Sequence, residues 1–172
     1  MLPERVIRNN EVVANLWTFL AEDAAGADLP AGAIAVPLAV WKARRTELLA
    51  RREPIGVWLK PDDDPLDIGA DADALAIIGV QFPKFADGRG YSTAVLLRTR
   101  LKYAGELRAF GDVGRDQLFY LKRCGFDAFS LAEHRDPEAA LASLGDFSLR
   151  YQGSVDDPQP LFRRRLAAST PQ

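Results

Sequence analysis

The run Leu75-Ala76-Ile77-Ile78-Gly79-Val80-Gln81-Phe82 is almost continuously apolar and shows little alternation. A strand with one wet face alternates apolar and polar side chains. A run without alternation belongs to a strand covered on both faces, which is the condition of a parallel sheet. Parallel neighbours cannot be joined by a tight turn, so the chain must return through a crossover, usually a helix. This one segment therefore predicts strand–helix units rather than hairpins.

The rest of the sequence fits that expectation. Leu16–Leu20, Ala33–Val36, Ile55–Leu59, Glu106–Phe110 and Phe126–Leu131 read as further strands. Pro37 opens a helix in which Leu38, Trp41 and Leu48 fall on one side. Asp64-Pro65 and Asp136-Pro137 are cap-plus-proline signals for helical turns. A helix over Ser92–Tyr103 buries Ala94, Leu97 and Leu101, with Arg98 and Lys102 outside. A helix over Arg115–Cys124 is stopped by Gly125. Phe147–Tyr151 adds a last strand. The alternation predicts an α/β fold, a mainly parallel sheet of five to six strands with right-handed crossover helices, in an open or partial-barrel (TIM-like) arrangement. Residues 1–152 form a single α/β domain and residues 153–172 a loosely ordered tail.

Composition narrows the function classes. With 172 residues the chain supports one substantial core. Its net charge of -2 argues against bulk binding to nucleic acid or an anionic membrane. Between Phe82 and Asp127, however, nine Lys or Arg face five Asp or Glu, a local +4 that leaves -6 for the rest. That imbalance favours a small anion or an acidic patch on a partner. One cysteine rules out an internal disulfide, a redox pair of cysteines or a four-cysteine cluster, and one histidine rules out a multi-histidine metal centre. No apolar segment reaches the roughly 20 residues of a membrane span, and Met1–Val6 leads into no signal-peptide core, so the expected compartment is the cytoplasm. The aromatic area of Trp17, Trp41 and Trp58 suggests a homodimer.

Glycines and charges gather where strand-like runs give way to helix-like ones. In the loop from Lys84 to Ser92, Gly88 and Gly90 permit close backbone approach, Lys84 and Arg89 supply charge, and Ser92 is placed to cap the helix. Arg115 stands at the next junction, where a cation opposes the helix dipole and calls for an anionic partner. Together Lys84, Arg89 and Arg115 predict an oxyanion site, supported by Asp87, Gly88, Gly90, Ser92 and Asp112. The bland alternative is a tight loop in which Asp87 and Arg89 satisfy one another. Asp112 reads as a helix cap before a general base. Cys124 shares a helical face with Leu118 and Leu121 and reads as an inert core thiol; His134 reads as a solvated side chain. Glu106 and Arg108 are expected to join a network with Arg98 or Arg123. No dinucleotide fingerprint, Walker loop or other cofactor motif is evident, and no catalytic residue is assigned.

Phe82-Pro83-Lys84-Phe85, Asp87-Gly88-Arg89-Gly90-Tyr91-Ser92, Leu97-Arg98, Gly105-Glu106-Leu107-Arg108-Ala109, Gly111-Asp112-Val113 with Arg115-Asp116, Arg123-Cys124-Gly125-Phe126-Asp127 and Tyr151-Gln152 resemble a bacterial family called domain of unknown function 934. The likeness covers the second half well and the first half loosely. It is specific because so many unusual residues fall in order. The resemblance implies an accessory protein or oxidoreductase of sulfite reduction and sulfur assimilation, partnered with sulfite reductase or a related enzyme. The alternative is an enzyme acting alone on a small sulfur- or phosphate-containing anion.

Overall fold

The computed structural model describes residues 2–132, 134–145, 151–160 and 162–163. Among the described residues eight strands form one sheet: β1 (Arg5–Arg8), β2 (Glu11–Ala14), β3 (Thr18–Phe19), β4 (Ile34–Pro37), β5 (Ile55–Leu59), β6 (Ile77–Phe82), β7 (Glu106–Gly111) and β8 (Ala128–Ser130), in the order β2-β1-β8-β7-β6-β5-β4-β3. The sheet curls into a half-barrel. From β3 to β8 all neighbours are parallel, and β6, β7 and β8 lie side by side. The helices are α1 (Leu38–Leu49), α2 (Arg89–Thr99), α3 (Leu118–Arg123) and α4 (Pro137–Leu141). Among the described residues no helix is long and apolar enough to cross a membrane.

The expected mainly parallel sheet of five to six strands, open or TIM-like, is overturned: the sheet is mixed and has eight strands. Residues 5–14 supply the difference. Asn9 and Asn10 both adopt positive φ, at 52° and 65°, and join β1 to β2 as a two-residue hairpin. That backbone twist suits a hairpin, and asparagine tolerates it better than most residues. The hairpin then docks antiparallel against β8, with Asn9 N–H donating to Asp127 O at 2.9 Å. A second difference is local. Of the expected strand Leu16–Leu20 only Thr18–Phe19 pairs with β4, and Leu16 is exposed.

The two faces of the sheet carry different cores. One face packs Val36, Val57, Leu59, Ile78, Val80, Leu107 and Ala109 beneath Leu38 and Trp41 of α1, Ala94 and Leu97 of α2, and Leu118 and Leu121 of α3. The other gathers Ala35, Trp58, Ile77 and Phe110 with Leu2, Trp17 and Phe19. Coverage of both faces explains why β6 reads as a continuous apolar run. Gly79 makes the second core possible, since a Cβ there would lie 2.6 Å from the Phe19 ring. Trp41 and Trp58 are both buried within the chain's own fold, which takes two of three tryptophans out of the argument for a dimer.

Several local signals act as expected. Asp64 accepts from Leu66 N–H at 2.9 Å and Asp136 from Glu138 N–H at 3.0 Å, each with proline opening the helical turn. Gly125 adopts φ 110° after α3. Arg98, expected outside, is instead largely buried. It donates to Gly125 O (2.9 Å), Tyr103 O (2.6 Å), Gly105 O (2.9 Å) and Asp127 Oδ2 (2.8 Å), tying α2 to the two loops that lead into β7 and β8. Burial pushes the Asp127 carboxyl above the usual carboxylate range, opposed by the Leu107 N–H and Arg98. Of the expected strand Phe147–Tyr151, residues 147–150 lie outside the described residues. In the described part of the C-terminal segment, Val155 N–H and Ser154 Oγ both donate to Arg123 O, at 3.1 and 2.6 Å.

Candidate functional site

Parallel strands end on the same side, so the loops after β5, β6, β7 and β8 share one edge of the sheet. Residues 83–88 follow β6 and residues 112–114 follow β7. Backbone and side-chain bonds stitch these two loops together. Asp112 N–H donates to Phe82 O at 2.7 Å, and Asp112 Oδ2 accepts from Phe85 N–H at 3.0 Å. Gln117 donates through Nε2 to Phe85 O at 3.0 Å and accepts through Oε1 from Gly114 N–H at 2.8 Å. Arg135, from the loop after β8, reaches back to Asp112 Oδ1 at 3.5 Å. Asp112 is therefore a loop clamp rather than the helix cap expected of it; Gly114 occupies the cap position.

Arg89 opens α2 and is held on both sides. Its Nε and Nη2 donate to Asp87 at 3.0 and 2.6 Å, and its Nη1 pairs with Asp62 from the loop after β5. The hydrogen bonds from Arg89 hold the Asp87 carboxyl below the usual carboxylate range. Asp87 also accepts from Arg89 N–H at 3.2 Å, so it fixes the entry to the helix. The two pairs differ in strength. Asp87 is half-buried, whereas Asp62 is 87% exposed and its contact with Arg89 is open to water. An exposed pair of that kind is worth about 0–1 kcal/mol.

The glycines divide in role. Gly88 is the residue before the helix and has open space around it. Gly90 is buried because the Phe82 ring packs on it; a Cβ would meet that ring at 2.5 Å. Its smallness serves packing. Ser92 lies inside the first turn of α2 and is exposed, not at the cap. Lys84 and Arg115 are both exposed on the same edge. Arg115 begins a single 3₁₀ turn ahead of the six-residue α3, a short segment that adds little dipole, and the exposed Asp116 beside it carries the opposite charge.

The structure thus brings Lys84, Arg89 and Arg115 to one edge, with Asp87, Gly88 and Asp112 around them. Asp62, Gln117 and Arg135 were not assigned to the site from the sequence, because each comes from a different loop and only the parallel order of strands makes them neighbours. His134 is exposed and accepts from Arg135 Nε at 3.4 Å. Among the described residues no group of three or more His, Cys, Asp or Glu side chains converges as a metal site.

Cys124 is partly buried beside Tyr91, Ser92, Val95 and Leu96, at the margin of the core rather than inside it. Burial pushes its thiol up, against a smaller opposing pull from Arg123. A thiol so placed holds little thiolate at neutral pH, and thiolate is the reactive form. Alkylation of the native protein by iodoacetamide is expected to be slower at pH 7 than that of a free thiol and to accelerate only as pH rises above the ordinary thiol range. Rapid modification at pH 7, followed by mass spectrometry, would mark Cys124 as activated.

A half-barrel α/β sheet with a charged strand C-terminal edge defines the general class. Residues 56–162, well over half of the chain, match the profile of a family described as "Bacterial protein of unknown function (DUF934)", and the chain belongs to that family. No curated protein and no solved structure matches it.

Proposed function

We propose that this is a cytoplasmic accessory protein of sulfite reduction, acting with sulfite reductase or a related sulfur-assimilation enzyme and holding a small oxyanion at the strand C-terminal edge. The observation that supports the oxyanion part of this reading is the stitching of the β6 and β7 loops, the two junctions beside which Lys84, Arg89 and Arg115 stand. Arg135 adds a fourth cation from the β8 loop. Guanidinium groups suit sulfite or sulfate because their planar donors can engage two oxygens at once. Arg89 enters such a site by exchanging its exposed partner Asp62 for the ligand while keeping Asp87.

The chemistry assigned to these side chains is binding and orientation of the anion. The test is a calorimetric titration of sulfite and sulfate into the purified chain. Arg115→Ala is expected to weaken binding by about 1.5–3 kcal/mol, the value of a charge-assisted hydrogen bond. Asp62→Asn is expected to strengthen it, since the competing carboxylate is gone. Equal binding by wild type and both variants would remove the site. Co-purification with sulfite reductase, with no sulfite consumption by the chain alone, would support the accessory role. Sulfite consumption by the chain alone with NADPH would favour the stand-alone enzyme.

A further inference from the structure

The second face of the sheet holds a cavity that the charged edge does not use. It has a volume of about 330 Å³ and lies at the C-terminal ends of the strands, walled by Phe19, Trp58, Phe110, Gln81 and Ser130, with Leu2 at its rim. None of the described residues that line it is charged. The aromatic wall is fixed. Phe19 and Phe110 meet edge-to-face with centroids 4.9 Å apart, Trp58 and Phe110 at 5.8 Å, and Trp58 Nε1 donates to Leu20 O at 2.9 Å.

Ser130 is the unexplained member. It pairs in register with Phe110 and so faces the same side of the sheet. It is 1% exposed, and its Oγ has no hydrogen-bond partner among the described residues. A buried hydroxyl left unpaired is costly, and native proteins rarely keep one without a reason. The buried cation Arg108, whose guanidinium lies 5.9 Å from the Phe19 ring centroid, is not among the lining residues and is bound to Glu106 and Asn15.

We propose that this cavity is a binding site for a small, neutral, planar molecule: an aromatic or heteroaromatic ring bearing an amide or similar hydrogen-bonding edge. The rings of Phe19, Trp58 and Phe110 offer aromatic contact for such a ring. The half-buried Gln81 amide supplies a partner for its edge, and the Ser130 hydroxyl, buried at the same lining, is reached as the ligand seats. The absence of charge on the lining disfavours an ion, whose desolvation nothing would offset. A volume at the lower end of the roughly 300–1,000 Å³ range of small-molecule sites suits one or two fused rings. None of Lys84, Arg89, Arg115 and Arg135 lines this site, so either can fail without the other.

The test is an NMR titration of the full chain observing the indole N–H signals, with Trp58→Phe assigning the Trp58 resonance. Benzamide and nicotinamide are the probes; toluene and benzoate are the controls. The expected result is a saturable shift of the Trp58 signal with both amides and little response to benzoate. Ser130→Ala removes an unpaired hydroxyl, so it should stay folded while weakening amide binding about tenfold and leaving toluene unchanged. Gln81→Leu, at a half-exposed position, provides a second variant with the same expected direction. No saturable shift at millimolar amide would overturn the proposal. So would amide affinity unchanged in both variants, or benzoate binding as well as benzamide.

Discussion

Glu106→Ala is expected to destabilise the protein by about 3–5 kcal/mol, because it strands a buried cation. Arg108 is 1% exposed and stands on β7 among the residues of the second face. Its Nε donates to Glu106 Oε1 at 2.7 Å and its Nη1 to Asn15 Oδ1 at 2.8 Å, while the guanidinium lies 5.9 Å from the Phe19 ring centroid. Burial pulls the pKa of Arg108 down, and the Glu106 carboxylate pulls it back. Without Glu106 the desolvation of Arg108 goes uncompensated. For a chain of this size the loss corresponds to a fall in Tm on the order of 10 °C. Replacing both partners with apolar residues of similar volume should cost far less than the single change, since then no charge is left buried. Urea unfolding of the single and double variants measures the difference. A Glu106→Ala protein as stable as wild type would show that water reaches the pair.

Gly111→Ala is expected to cost about 2–4 kcal/mol, from a strained φ together with an overpacked contact. Gly111 ends β7 with φ 104°, and a Cβ there would lie 2.3 Å from Phe82 O. That carbonyl accepts the Asp112 N–H at 2.7 Å, the bond that joins the β6 and β7 loops. The substitution therefore acts on stability and on the alignment of the edge together. Thermal unfolding gives the first effect, and sulfite titration of the folded fraction gives the second. An unchanged Tm would mean that the strand end shifts freely to admit the methyl group.

Much of the parallel core was legible residue by residue. The unbroken apolar run of β6 announced burial on both faces, and the Asp-Pro pairs at 64–65 and 136–137 marked real helical starts. The N-terminal hairpin was also written in the chain, as Asn9-Asn10 between Arg5–Arg8 and Glu11–Ala14, but it is a weaker signal than Asn-Gly and its strands are only four residues long. The pairing of Arg89 with Asp87 was visible as sequence neighbours; its pairing with Asp62 was not.

Local sequence determined where the central parallel strands, the two Asp-Pro caps and the Gly125 stop fall, because backbone preference and side-chain periodicity act over a few residues. It also fixed that cations would collect after β6 and β7. Only the tertiary structure decided which partners those cations meet, that Arg98 and Arg108 turn inward, and that Ser130 faces an aromatic cavity. These outcomes depend on the order of strands in the sheet and on which face each side chain takes. Both are set by contacts between residues far apart in the chain, to which local propensity is blind.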